Sequence, residues 1–265
     1  MKPSTMVLAG MMLVAPGAAE ARPLRVMSLD QCADQYVLAL APGAELALSP
    51  RADDPDAWMR QGAVGRRVVR PTLEAAITFQ PDVVVRYWGG EPRLLTRLDA
   101  DGVRVLTIED ATGFDGIRGN IRTVAEGLGA RARGEALVSR MDATLADPAR
   151  MSRAQKPRAL YLTAGGFTAG RGTLIDAILT AAGFANAVVA PSFMPVSIER
   201  MVLSPPARFV LGFFDEARGD WRGAGRHPVL RRLARGRVAA RLPAATLTCP
   251  AWFAADAAAM LRAGA

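Results

Sequence analysis

Histidine and cysteine, which carry much of enzyme catalysis and metal binding, are nearly absent from this sequence. The 265 residues include one histidine, His227, and two cysteines. A His-based metal site, a Ser-His-Asp triad or a phosphohistidine relay would each depend on His227 alone. No G-x-x-x-x-G-K-[ST] motif occurs, and no G-x-G-x-x-G motif follows a predicted strand. We therefore predict no catalytic residue and no metal site, which argues against an enzyme.

Long hydrophobic runs are also missing, since no segment approaches the roughly 20 apolar residues of a membrane-spanning helix. The nearest run, residues 6–14, lies between Lys2 and a small-residue stretch that ends in Ala19-Glu20-Ala21. A short basic segment, a short apolar segment and an A-x-A site are typical of a secretory signal peptide. We expect residues 1–21 to be a cleaved signal peptide, with a retained N-terminal anchor as the alternative, and the mature protein to be exported.

Acidic charge is in deficit, because 25 Asp and Glu residues face 33 Lys and Arg residues, for a formal net charge of +8. Lys2 and Lys156 are the only lysines, and the arginines are scattered without a dense run. This pattern indicates a drift in composition toward alanine, arginine and glycine, with a weak attraction for anionic ligands as the alternative. We predict no nucleic-acid partner.

Short apolar runs alternate with helical patterns along most of the chain, which predicts parallel sheets in an α/β fold. The longest helical pattern, on both sides of Gly129, interrupts this alternation. We therefore predict two α/β lobes, residues 22–115 and 158–265, joined by a helical connection over residues 116–157. The strand patterns occupy residues 24–29, 44–49, 83–87, 103–108, 158–163, 209–213 and 238–242. The helical patterns between them occupy residues 33–40, 73–79, 93–100, 174–182 and 254–262.

One short pattern occurs twice, once in each predicted lobe. Leu73-Glu74 precedes Pro81 and a strand pattern, and Ile198-Glu199 precedes Pro206 and a strand pattern, at identical spacing. A glutamate in the first turn of a helix is favoured by the helix dipole, which by itself explains each one. The repetition also favours two lobes of related structure in which Glu74 and Glu199 lie at equivalent positions.

Candidate ligand residues follow the predicted strands, because α/β proteins bind ligands at the carboxyl ends of their strands. Aromatic and charged side chains are concentrated there, which suits a large flat or partly apolar ligand. The glycine-rich stretch 165–172 also offers backbone amides and an arginine to an anion. The candidates are Asp30, Arg51, Tyr87, Trp88, Phe167, Arg171 and Trp252.

The two cysteines, Cys32 and Cys249, each lie beside one of these strand ends, one in each lobe. An even number of cysteines in an exported protein favours a disulfide bond. Two unpaired thiols and thiolate ligation of a bound metal remain as alternatives.

Several segments in order along the chain resemble the periplasmic ABC-transporter binding proteins for cobalamin, haem and ferric siderophores. In one branch of this family the first segment reads S-L-N-x-C-x-D-Q, and here Asp30 stands where asparagine is common. Trp252-Phe253 matches an aromatic pair that precedes the last helix. The other matching segments are residues 25–35, 73–85, 167–183 and 227–238.

The resemblance implies a fold and a function. The fold would be two Rossmann-like α/β lobes joined by one long rigid helix, with a ligand cleft between them. The protein would be a periplasmic monomer without a cofactor, which captures an iron chelate or cobalamin and delivers it to an ABC-type permease. The alternatives are a sensory or structural periplasmic module without transport and a chelatase-like enzyme on a related scaffold.

The resemblance also implies roles for particular residues. Tyr87 and Trp252 align with the two cleft aromatics of cobalamin binders and would stack on the ligand from opposite lobes. The first-lobe tyrosine that those binders use after the second strand is absent, and Asp53-Asp54 lies nearby instead. Siderophore binders often use arginines against anionic ligands, for which the sequence offers Arg51, Arg86 and Arg171. Glu74 and Glu199 would dock against arginines on the two halves of the permease.

Overall fold

The structure is a computed structural model that describes residues 22–146, 156–216 and 222–264. The predicted signal peptide, residues 1–21, lies outside the described residues, as does the end of the predicted helical connection, residues 147–155. Among the described residues, no helix combines the length and the apolarity that a membrane crossing requires.

The first lobe contains a five-stranded parallel sheet in the order β3-β2-β1-β4-β5. Because helices cover a parallel sheet on both faces, its inner strands are continuous apolar runs such as Val83-Val84-Val85. The chain order reverses between β1 and β4, which places a ligand crevice at their carboxyl ends. The strands are β1 (Arg25–Ser28), β2 (Glu45–Leu48), β3 (Arg67–Val68), β4 (Val83–Arg86) and β5 (Arg104–Thr107). The helices are α1 (Gln31–Leu40), α2 (Arg60–Ala63), α3 (Leu73–Phe79) and α4 (Pro92–Ala100).

Two antiparallel helices, α5 (Phe114–Gly127) and α6 (Arg131–Leu145), follow the first sheet. Within the described residues, these two helices make up the predicted helical connection. Gly129 has a φ of +67°, a left-handed conformation that ends α5 and reverses the chain. Gly134 lets the two helices approach closely, since a Cβ at this position would lie 2.5 Å from the Cβ of Ala125. α6 also packs against the last helix of the second lobe, so it connects the two lobes.

The second lobe contains a four-stranded parallel sheet in the order β11-β10-β6-β8. An antiparallel pair, β7 with β9, follows the carboxyl end of β6. The strands are β6 (Arg158–Thr163), β7 (Phe167–Ala169), β8 (Ala185–Asn186), β9 (Phe193–Pro195), β10 (Arg208–Gly212) and β11 (Val238–Leu242). The helices are α7 (Leu174–Ala181), α8 (Ile198–Leu203), α9 (Pro228–Ala234) and α10 (Ala254–Ala263), with 3-10 turns at Ala224–Arg226 and Ala244–Thr246.

A single apolar core extends through both lobes. Tyr36 and Ile121 on the side of the first lobe belong to the same buried cluster as Met141 of α6 and Tyr161 and Phe253 of the second lobe. Separate clusters cover only the outer faces of the two sheets. Domains move freely when their interface is small and polar, so a shared apolar core limits how far the lobes rotate against each other. The predicted class, two Rossmann-like α/β lobes, is confirmed.

Candidate ligand-binding site

A cavity of about 360 Å³ lies where β1 and β4 end, at the point where the strand order of the first sheet reverses. Cavities of about 450 and 440 Å³ occur elsewhere, but they lie on the outer faces of the lobes, away from this crevice. The second lobe contributes Thr248. The full lining is Leu29, Asp30, Gln31, Cys32, Ser49, Pro50, Arg51, Tyr87, Trp88 and Thr248.

Asp30 fixes the geometry of this cavity. One carboxylate oxygen accepts from the backbone N–H of Ala33, at 2.9 Å, and so caps α1. The other accepts from the backbone N–H groups of Tyr87, at 2.6 Å, and Gly89, at 2.9 Å. A Cβ at Gly89 would lie 2.3 Å from the carbonyl oxygen of Leu29, so only glycine allows this approach. Since backbone amides occupy both oxygens, Asp30 positions residues 87–89, which we call the aromatic loop.

Tyr87 and Trp88 form the aromatic wall of the cavity. Their ring centroids lie 5.5 Å apart in an edge-to-face arrangement. The Tyr87 hydroxyl donates to Asp110. Burial is the larger cause, and this hydrogen bond the second, that raises the pKa of Tyr87 to about 12. The phenol therefore remains neutral and fixed. Trp88 is 71% exposed and leaves a ring face free for a flat ligand.

Arg51 supplies the cation of the cavity. Its Nε donates to the carboxylate of Asp54 at 2.8 Å, and its side chain is about half exposed. Arg86, the other first-lobe arginine that the resemblance brought forward, donates from Nε to the carbonyl oxygen of Gly89 at 2.6 Å. Arg86 therefore supports the aromatic loop, and Arg51 is placed to attract an acidic group of a ligand.

Gln31 was not singled out from the sequence. It is 6% exposed, and its Nε2 is buried without a hydrogen-bond partner among the described residues. A buried donor without a partner destabilises a protein by about 1–3 kcal/mol. Because Gln31 also lines the cavity, its amide is placed to donate to an oxygen of a bound ligand.

Replacing Gln31 with methionine should have opposite effects on stability and on binding. We expect the free energy of unfolding of the ligand-free protein to rise by about 1 kcal/mol, because an unpaired buried donor is removed, while affinity for the ligand falls. Gln35→Met is the matched control, since Gln35 accepts from the N–H of Met59 and donates to the carbonyl of Gln31. Denaturant unfolding should show that this control is destabilised. A loss of stability in Gln31→Met equal to that of the control would contradict the assignment.

The structure does not bring the three second-lobe candidates into this cavity. Phe167 is exposed on β7, and Arg171 is exposed where the chain forms an isolated bridge to Pro191. Trp252 is 8% exposed, and its ring meets Tyr36 and Phe253 edge to face, at centroid distances of 5.6 and 5.3 Å. These contacts place the indole in the interface between the lobes, and the stacking of Trp252 on a ligand stays a prediction.

A disulfide bond closes the base of the cavity and joins the two lobes. The structure pairs Cys32 of α1 with Cys249 beyond the second sheet, so neither is a free thiol or a metal ligand there. Next to the bond, the Tyr36 hydroxyl donates to the backbone carbonyl of Pro250 at 2.7 Å. We call these two contacts the interlobe tether. Thr248 lines the cavity because it directly precedes the tether.

A buried carboxyl group, Asp34, lies behind the cavity. It accepts hydrogen bonds from the Ser28 hydroxyl, the Ser49 N–H at 2.9 Å and the Ser49 hydroxyl at 2.5 Å. These bonds join the ends of β1 and β2, and Ser49 lines the cavity. Burial outweighs the hydrogen bonds and raises the pKa of Asp34 from 3.8 to about 6.

Asp34 should make the folded protein less stable as pH rises. Its folded-state pKa, about 6, exceeds the ordinary value, 3.8, so between these values the native state binds more protons than the unfolded state. The contribution of Asp34 to stability is therefore full below about pH 4 and is lost as pH rises through 6, by up to about 3 kcal/mol. We expect Asp34→Asn to remove this dependence from pH-resolved unfolding curves. Asp53→Asn, at an exposed position, should retain it. Identical pH profiles for the wild type and Asp34→Asn would contradict the assignment.

The two sheets, the shared core and the crevice between the lobes define a two-lobe α/β binding protein. Residues 40–245 match the periplasmic binding protein family, and the chain belongs to this family. It is a binding protein and not an enzyme, as the sequence predicted.

Relatives of known function and solved structures agree with this assignment. A cobalamin-binding protein of Halobacterium salinarum is 28% identical over 165 residues, which is 60% of this chain and 45% of that protein. The match thus spans less than half the length of this curated relative. The periplasmic heme-binding protein HutB of Vibrio cholerae has a TM-score of 0.68 at 17% identity, over 91% of this chain and 98% of HutB. The heme-binding protein RhuT of Roseiflexus sp. RS-1 has a TM-score of 0.66 at 22% identity, over 91% and 97% of the two chains. At these identities, the structural matches establish the fold.

Proposed function

We propose that this protein captures a large, flat, acidic metal chelate in the periplasm and delivers it to an ABC-type permease of the inner membrane. Haem and cobalamin combine a flat ring with polar or acidic groups at its edge, and a ferric siderophore is the alternative iron chelate. The observation that carries the proposal is the cavity at the end of β1 and β4. It combines the exposed ring of Trp88, the cation of Arg51 and the unpaired donor of Gln31.

Each of these groups matches one part of such a ligand. A ring face of Trp88 supports stacking on a macrocycle, which contributes about 0.5–1.5 kcal/mol beyond the area that it buries. Arg51 attracts a carboxylate or phosphate at the edge of the ligand. The relatives that bind heme or cobalamin support this class of ligand.

Changes in the aromatic wall test the proposed ligand class. The purified protein is titrated with haem, cyanocobalamin and a ferric siderophore while tryptophan fluorescence is recorded. For the ligand that binds, we expect Trp88→Ala to weaken affinity about tenfold and to remove most of the quenching. Trp58→Phe is the control, because Trp58 stacks on Phe253 at 5.3 Å, away from the cavity lining. Unchanged affinity in both Trp88→Ala and Arg51→Ala would reject the cavity as the ligand site.

The proposed delivery step rests on two matching surface patches, one in each lobe. Glu74 is the second residue of α3, after the capping residue Thr72, and Glu199 is the second residue of α8, after the capping residue Ser197. Both carboxylates are exposed. A hydrogen bond from a backbone N–H is the larger cause, and one from the capping hydroxyl the second, that lowers the pKa of each glutamate. The repeated sequence pattern therefore corresponds to a repeated local structure.

An exposed aliphatic side chain accompanies each glutamate. Ile77 lies one helical turn after Glu74 and is 52% exposed, and Val202 lies at the same spacing after Glu199 and is 51% exposed. Residues three apart share one face of a helix. Each patch therefore combines an anion with an apolar contact, which suits a permease surface that presents two equivalent cations beside apolar groups. The permease, the signal peptide and the periplasmic location are parts of this proposal.

A further inference from the structure

A second cavity, of about 450 Å³, lies on the outer face of the second sheet, beside α9. Its volume falls in the range of small-molecule sites, roughly 300–1,000 Å³. It shares no lining residue with the cavity between the lobes. Apolar side chains from the sheet, from α9 and from the chain beyond β10 contribute to its lining: Leu162, Leu211, Phe214, Leu230 and Val238.

Four arginines surround this apolar surface: Arg226, Arg231, Arg235 and Arg241. None of them forms an ion pair with a described residue, and no aspartate or glutamate is among the residues that line the cavity. Four like charges that pair with no acidic group of the described residues raise the positive potential at this point and attract an anion.

Arg226 is fixed in place for such an anion. Its guanidinium lies over the Phe214 ring, 5.1 Å from the centroid, and one of its terminal nitrogens donates to the Phe214 carbonyl at 2.9 Å. Its Nε is buried and has no hydrogen-bond partner among the described residues. A buried donor without a partner is unfavourable, so an anion that accepts a hydrogen bond from this Nε would stabilise the protein.

We propose that this cavity is a second binding site, for an amphipathic carboxylate: a small molecule with an apolar body and one carboxylate group. The apolar body contacts the leucine side chains, and the carboxylate lies among the guanidinium groups, which pair with carboxylates through two parallel hydrogen bonds. The site is independent of the ligand proposed for the cavity between the lobes.

The test compares decanoate with decanol, which has the same chain length and no charge. Isothermal titration of the full mature protein should show one decanoate bound per protein. The affinity for decanol should be at least tenfold lower. Absence of decanoate binding at millimolar concentration, or equal affinity for decanol, would overturn the proposal.

Exposed arginines provide variants that do not disturb the core. Arg231→Gln with Arg235→Gln should weaken decanoate binding at least tenfold. Arg232→Gln is the matched control, because Arg232 is exposed on the same helix and does not line the cavity; it should bind decanoate as the wild type does. The proposed second site is wrong if the double variant binds decanoate with wild-type affinity. It is also wrong if Arg51→Ala in the other cavity weakens decanoate binding instead.

Discussion

Glu74→Arg combined with Glu199→Arg is expected to abolish uptake in cells while ligand affinity and thermal stability remain nearly unchanged. Both side chains are fully exposed and contact neither the core nor the cavity lining. Charge reversal would therefore act on the proposed docking to the permease, where ion pairs steer association and set orientation more than they add affinity. Each single reversal should reduce uptake to an intermediate rate, and docking of the native protein should weaken as salt is added.

A second double reversal separates position from net charge. Glu126→Arg with Glu135→Arg changes the charge by the same amount on α5 and α6, where both glutamates form exposed ion pairs. Exposed ion pairs contribute little to stability, so this control should transport normally. Growth with the chelate as the sole source of its metal measures uptake, and ligand titration of each purified variant measures affinity. Normal uptake by the Glu74 and Glu199 double variant would leave helix initiation as the only role of these residues.

Removal of the disulfide by Cys32→Ala with Cys249→Ala should lower the free energy of unfolding by about 5 kcal/mol. The bond closes a loop of 217 residues, and in the chain-entropy model a loop of this length restricts the unfolded state by about that amount. Alanine is the suitable replacement, because both cysteines are buried and serine would place a hydroxyl in an apolar setting. Denaturant unfolding of the wild type with and without reductant should reproduce the difference, and reductant should not affect the variant.

The chemical state of the cysteines after export is measured separately. The intact mass of protein purified from the periplasm without reductant should not increase on treatment with a thiol-alkylating reagent. Two alkylated thiols would show that the bond does not form in the cell.

The parts of the fold that the sequence predicted are those with a local signal. The valine and leucine runs of β4 and β6 mark strands that are buried on both faces. Short strands such as β3 and β8 have two residues each and no buried run, so nothing in the sequence marks them. The break at Gly129 was visible in the sequence, but periodicity alone does not distinguish an interrupted helix from two antiparallel ones.

The site residues also differ in whether a local sequence signal marks them. Asp30, Arg51, Tyr87 and Trp88 line the cavity because a position beyond a strand end is fixed by strand order. Trp252 also lies beyond a strand, but its surroundings depend on Tyr36, which is distant in the sequence. The unpaired amide of Gln31 depends on which tertiary partners are missing, and no sequence pattern reports that.

The disulfide also makes a covalent ring of most of the chain. A single cut in any loop between Cys32 and Cys249 would leave one molecule, with both sheets still attached to each other. Outside the ring lie β1, at the centre of the first sheet, and α10, in the shared core. The links from the ring to these two elements, residues 29–31 and 250–253, are buried apart from half-buried Asp30. A protease would therefore reach the exposed loops of the ring first, where one nick does not separate the lobes.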